Sequence, residues 1–277
     1  MKKDRANISL LNAITSGIWC INNDYAMSLM PIAFEVLQGR YDFGSGKSEK
    51  EPKQEDTTPR VEVMKIRGVI SRDGWCSYGT ESLANQLLEM AKKPYIYSII
   101  LDIHSGGGEA QAPRYLTEAI NRVREQKKVI AYINNMACSA AYNIAASCEE
   151  IILSNAMAQV GSIGTFFSMT SYAKYYEKQG IDIFEVYATK STEKNKPIRE
   201  LLKGNPDAMV EQVDMYNEDF LATVQKYRPN IKEEALNGAV YFGQKAIDMG
   251  LADRIDTLYN IVSAEMQQNT PVRIIHF

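Results

Sequence analysis

The stretch KVIAYINNMACSAAYNIAA, residues Lys128–Ala146, decides how the chain is read. Val129–Ile133 is an apolar run of strand length, Asn134–Cys138 reads as a polar, small-residue turn, and a helix opens at Ser139. A serine at such a junction faces unpaired backbone N–H groups and the positive end of the helix field. Two readings follow. Ser139 is a plain N-cap, or it is a nucleophile whose developing charge that field favours.

Working outward, Ile96–Ile103 (IYSIILDI) is almost continuously apolar, the pattern of a strand covered on both faces. Three glycines follow it, and a helix is predicted from Glu109 to about Gln126. Glu150–Leu153 is a further buried strand. Val61–Ile66 alternates as a strand and continues past a bend through Gly68-Val69-Ile70. Thr80 to Lys92 sets Leu83, Leu87, Leu88 and Ala91 on one helical face. Strands alternating with helices predict an α/β fold with a mostly parallel sheet and right-handed crossovers. Later, Ala158–Thr165 is turn-rich, Ser171–Gln179 helical, Asp182–Tyr187 a strand and Ala188–Lys196 a polar loop. Asp207–Tyr227 is a long helix, and Gly243–Met249 a short one closed by Gly250. The apolar end Val272–Phe277 could add a strand or pack on a neighbour.

Residues 1–43 read as a small helical arm containing Trp19. Residues 44–60 lack any large apolar side chain and read as a flexible polar linker. The GSGKS within it is no phosphate loop, because Tyr41 stands where the first glycine belongs. The remainder of the chain is assigned to one domain, 61–258, with a tail from 259 to 277. The basic-then-apolar start is broken by Asp4 and Asn7 and leads to no A-x-A-like cleavage site. No apolar window is long enough for a membrane span, so a cytoplasmic location without a membrane partner is expected.

A net charge of −3 gives no basic excess for nucleic acid. The four cysteines form no C-x-x-C and lie far from histidine at ligand spacing, so no metal site or other cofactor is expected. With only two histidines, His104 and His276, a Ser-His-Asp triad would have to use one of them. His104 ends a buried strand beside the glycines, as a candidate base or as a satisfied strand-end residue. Gly106-Gly107-Gly108 is either a tight turn or a cradle whose N–H groups hold a developing oxyanion. No G-x-G-x-x-G supports a dinucleotide. Gly161-Ser162-Ile163-Gly164 reads as a tight turn or a peptide-facing one. Lys190, just after the Asp182–Tyr187 strand, is a surface charge unless it is desolvated.

In this order and at these intervals the segments resemble the signal peptide peptidase A and phage protein C family of serine peptidases, over roughly Val61 to Asp256. IRGVI matches its opening strand and glycine, and His104–Gly108 its N-S-P-G-G. Cys138–Ala145 matches A-S-G-G-Y-Y-I-A, Gly161–Gly164 its G-S-I-G, and Ala246 with Gly250-Leu251-Ala252-Asp253 its closing A-x-x-x-G-L-x-D. The resemblance implies a Clp-protease/crotonase-like fold of repeated β-β-α units. It carries Ser139 to the nucleophile and Lys190 to the general base. It also assigns oxyanion amides to Gly107, Gly108 and Ala140, and substrate binding to Gly161, Ser162 and Gly164. It further implies protein or peptide substrates and a homo-oligomeric ring, with the tail and Asp207–Tyr227 as contact surfaces. The missing anchor of membrane-bound members points to the phage-type branch and to scaffold or capsid substrates. Besides the missing anchor, two departures stand out: His104 and Gly106 replace asparagine and proline, and Ala140-Ala141 replace two glycines. Degradation of signal peptides, an inactive structural relative, and acyl-CoA chemistry using Asp102 or Glu109 are the alternatives.

Overall fold

A computed structural model describes residues 18–21, 57–73 and 79–269. In chain order the elements are β1 (Ile18–Ile21), β2 (Arg60–Arg67), α1 (Thr80–Ala91), β3 (Ile96–Ser105), β4 (Gly107–Glu109), α2 (Pro113–Arg124), β5 (Lys128–Cys138), α3 (Ala140–Ala146), β6 (Glu150–Leu153), β7 (Gln159–Gly161) and β8 (Phe166–Phe167). They continue with α4 (Ala173–Lys178), α5 (Lys196–Leu202), α6 (Asp207–Tyr227), β9 (Val240–Phe242), α7 (Gly243–Asp248), β10 (Arg254–Ile255) and α8 (Leu258–Asn269).

The main sheet runs β10-β6-β5-β3-β2, each neighbour parallel, as the alternation of strands and helices requires. A parallel sheet is covered on both faces, which explains the apolar run in β3. Leu101 and Ile103 face a core closed by Leu87 of α1, Leu116 and Ile120 of α2, α3, and Phe220 and Val224 of α6. Ile100, with Ile130 and Ile152, faces the other way onto Ile261 of α8. Each fully buried Ile or Leu here stabilises the fold by about 1.5–3 kcal/mol. The expected α/β class with a mostly parallel sheet is what the chain adopts.

β5 runs further than its sequence indicates. The predicted turn Asn134–Cys138 is instead strand. At Ile130–Ile133 β5 pairs with β6, and at Met136–Cys138 it pairs with β7, which in turn lies antiparallel to β9. Asn135, at φ 71, takes the bend where the partner changes. A hydrogen-bonding partner distant in sequence thus overrides local turn composition.

Other expectations are corrected likewise. Gly107–Glu109 forms β4, and α2 starts only at Pro113, whose fixed φ suits the first helical turn. Asp182–Tyr187 is not a strand. It pairs with nothing among the described residues and leaves Phe184 and Val186 in solvent. Lys196, placed in a polar loop, opens α5, and Arg60, placed in the linker, opens β2. Of the arm expected to be helical, Ile18–Ile21 is strand β1, antiparallel to β4 on one side and β8 on the other. The remainder of the arm, residues 44–56 and the 270–277 end lie outside the described residues.

Candidate active site

Ser139 sits where β5 passes into α3. Its backbone, at φ 55 and ψ −121, lies in a region that costs a side chain-bearing residue about 1–3 kcal/mol. Two backbone bonds hold it there: its N–H donates to Gly161 O at 2.8 Å, and its C=O accepts from Asn143 N–H at 3.0 Å. The side chain does not cap the helix. Ser139 is fully buried, and its Oγ has no hydrogen-bond partner among the described residues. A buried hydroxyl without a partner is destabilising by about 1–3 kcal/mol, so Ser139 is costly on two counts where a capping serine would be helpful.

Both glycine segments converge on this residue. On one side, β3 ends in register with β5, Ser105 opposite Ala137, so the glycine turn enters beside Ser139. Ser105 Oγ accepts the Gly107 N–H at 3.1 Å, and Gly107 has φ 110. Gly107 O accepts from Ile70 N–H at 2.9 Å, and Glu109 N–H donates to Ile70 O at 2.8 Å. Strand alternation then turns the N–H and C=O of Gly108 to the opposite edge. A Cβ on Gly108 would lie 1.8 Å from Ile70 O, so only glycine allows this approach. On the other side Cys138 pairs with Gly161, and Ser162, at φ 51, donates its N–H to Ala239 O at 2.7 Å. Gly164 packs near Gly238. Ala140, first residue of α3, has an N–H beyond the reach of any helical carbonyl. Ala140 and Ala141 are buried in the main core, so their methyls are accommodated where glycines were expected.

Lys190 is not brought to this cluster. It lies in an exposed turn and forms no hydrogen bond or ion pair with a described residue. His104 is tied elsewhere, its Nδ1 2.7 Å from Asn134 O. Asp102 pairs with Arg67 on the sheet face that α8 covers. Burial raises the Glu109 carboxyl above its usual range, opposed by the Arg72 N–H that it accepts at 3.2 Å. Cys138, next to Ser139, has its thiol pushed up to about 12 by burial, so it supplies no thiolate at neutral pH.

Three supporting residues escaped the sequence reading. Ser105 orients the Gly107 amide. Tyr142 is fully buried and donates its hydroxyl to Leu251 O at 3.0 Å, fastening α3 to the closing motif. Arg228 forms two hydrogen bonds to Asp253, at 2.7 and 3.0 Å, and Asp253 Oδ2 accepts the Ile151 N–H at 2.7 Å. A tyrosine in an otherwise small, apolar helix was the available signal, since a buried phenol needs an acceptor.

A sequence model described as Peptidase family S49 matches residues 121–272. Capsid assembly protease C of Escherichia phage lambda is 30% identical over 195 residues, which is 70% of this chain and 44% of that protein. Head-tail preconnector protein GP5 of Enterobacteria phage P21 is 29% identical over 204 residues, 73% of this chain and 40% of that protein. The chain therefore spans less than half the length of these two relatives. Among solved structures, a mutant of the 1510-N membrane-bound stomatin-specific protease in complex with a substrate peptide aligns with a TM-score of 0.48. Its sequence identity is 16%, covering 79% of this chain and 87% of that one.

Proposed function

Because this chain belongs to peptidase family S49, we propose that it is a serine endopeptidase with Ser139 as nucleophile and Lys190 as general base. The single observation that carries the reading is the buried, strained, unpartnered hydroxyl of Ser139 between two glycine segments. Ser139 Oγ attacks the scissile carbonyl carbon while its proton passes to the Lys190 amine. The carbonyl oxygen, now negative, is held by the amides of Ala140 and of Gly107 or Gly108. The C–N bond then breaks, the lysine returns the proton to the leaving amine, and water hydrolyses the acyl-enzyme. Gly161, Ser162 and Gly164 line the approach of the peptide. Lys190 has to reach Ser139 by movement of its exposed loop or by assembly of subunits, since Ser139 Oγ has no partner among the described residues.

Capsid and scaffold proteins of a phage head are the proposed substrates, by analogy with the lambda and P21 proteins named above. The test is Ser139→Ala and Lys190→Ala, assayed on a co-expressed scaffold protein and on casein. Ser139→Ala should abolish cleavage. Lys190→Ala should lower it by about 10²–10⁴-fold, and His104→Ala should leave it intact. Full activity in Lys190→Ala overturns the dyad. A second reading, a structural relative that no longer cleaves, is favoured by the exposed position of Lys190, which makes no hydrogen bond to the buried Ser139 Oγ. It predicts no Ser139-dependent cleavage in any assembly state.

A further inference from the structure

β1 lies between two strands that nothing else joins. The small sheet has the order β4-β1-β8, antiparallel throughout, with Trp19 opposite Glu109 and Phe166, Cys20 opposite Gly108, and Ile21 opposite Gly107. β4 leaves the glycine turn, and β8 follows the Gly161–Gly164 segment. Both segments flank Ser139. Without β1, these two strands would face each other across about 9–10 Å, the width of one added strand. Their facing edges carry open backbone groups, among them the N–H and C=O of Gly108.

We propose that this gap is a strand-receiving peptide slot, and that the chain's own segment Ile18-Trp19-Cys20-Ile21 fills it as an internal blocker. That the slot serves substrate rests on the peptidase reading of Ser139. An extended peptide enters by adding a strand, with backbone hydrogen bonds on both edges. The occupant is apolar at all four positions, so the slot takes extended apolar segments of proteins. Antiparallel pairing fixes the direction: the chain runs toward Gly107, and Ile21 lies nearest Ser139. The Gly108 amide engaged by Cys20 is one of the two glycine amides assigned to the oxyanion. While β1 is seated it is withheld from an incoming carbonyl. The blocker is tethered through residues 22–59 and acts at an effective concentration on the order of millimolar. Micromolar substrate competes poorly against it.

Hydrogen exchange on the full chain tests this without depending on catalysis. In the native chain the amides of Gly108 and Phe166, which face β1, should be protected. Cys20→Pro removes the N–H that faces Gly108 and should speed their exchange about tenfold or more, while β3 and β5 amides stay unchanged. A synthetic peptide of residues 15–24 added to Cys20→Pro should restore protection. Casein cleavage should rise several-fold in Cys20→Pro and fall again with the peptide. Unaltered exchange at Gly108 overturns the proposal. As a second measurement, Trp19→Cys with Glu109→Cys should form a disulfide on mild oxidation, and failure to form it also overturns the proposal. If exchange behaves as expected but no form shows Ser139-dependent cleavage, the strand slot stands and the peptidase reading falls.

Discussion

Ser139 holds two unfavourable features at once, a left-handed backbone and a buried hydroxyl with no partner. Its N–H and C=O, bonded to Gly161 and Asn143, enforce the first. Removing the hydroxyl removes the second. Ser139→Ala should therefore unfold at the same denaturant concentration as the native chain or higher, by about 1 kcal/mol, even as it removes proposed activity. A plain capping serine would show the opposite sign, a loss of about 1 kcal/mol. The neighbouring thiol gives a second check. Cys138 and Cys148 are buried, and burial pushes both thiols up to about 12, so both stay protonated at pH 8. Iodoacetamide at pH 8 should leave them unmodified in the native chain and label them in denaturant, read by mass spectrometry of the two peptides.

Between elements, the closest approach is β4 over Ile70. Gly108→Ala would press a methyl into the Ile70 carbonyl and should cost about 3 kcal/mol in denaturant unfolding. Gly180→Ala, at φ +71 but in open space, should cost only about 1 kcal/mol. Elements whose limits were legible in sequence are those with a strong internal pattern. β6 and α6 begin and end where the residues indicated, because a buried apolar run and an Asn205-Pro206 start are local signals. The second half of β5 was not legible. Its partner, β7, lies some twenty residues on, and Asn134-Asn135 locally says turn. Asp182–Tyr187 erred the other way: β-branched and aromatic residues indicate a strand, but a strand also needs an edge to pair with. α8 went unread because its buried positions include Glu265, which ion-pairs with Lys128, and a carboxylate on the inner face hides the apolar stripe. At the site, both glycine segments were legible from their order and spacing. The place of Lys190 was not, since it depends on what its loop meets.

That loop carries the two most exposed large apolar side chains among the described residues. Phe184 is 87% and Val186 96% exposed, with Ile181 and Ile183 more than half exposed. α6 adds Met215 and Val210 on its outer side. Exposed runs of this kind mark contact surfaces, and we propose that they bury against further copies of the chain, carrying Lys190 with them. Phe184→Asp with Val186→Asp should shift sedimentation toward monomer at micromolar concentration and lower cleavage in step. A native chain that sediments as a monomer and still cleaves would sink the proposal. No helix among the described residues is long and apolar enough to cross a membrane. The length of β5 bears on how such a molecule is governed. One uninterrupted strand, bonded to β3 on one edge and to β6 and then β7 on the other, ends at the serine. It is clamped along both sides, with its one bend at Asn135 where the partner strand changes. In the proposed mechanism the serine is the stationary part, and timing belongs to the pieces that come and go around it: a lysine arriving from one direction, a strand leaving in the other.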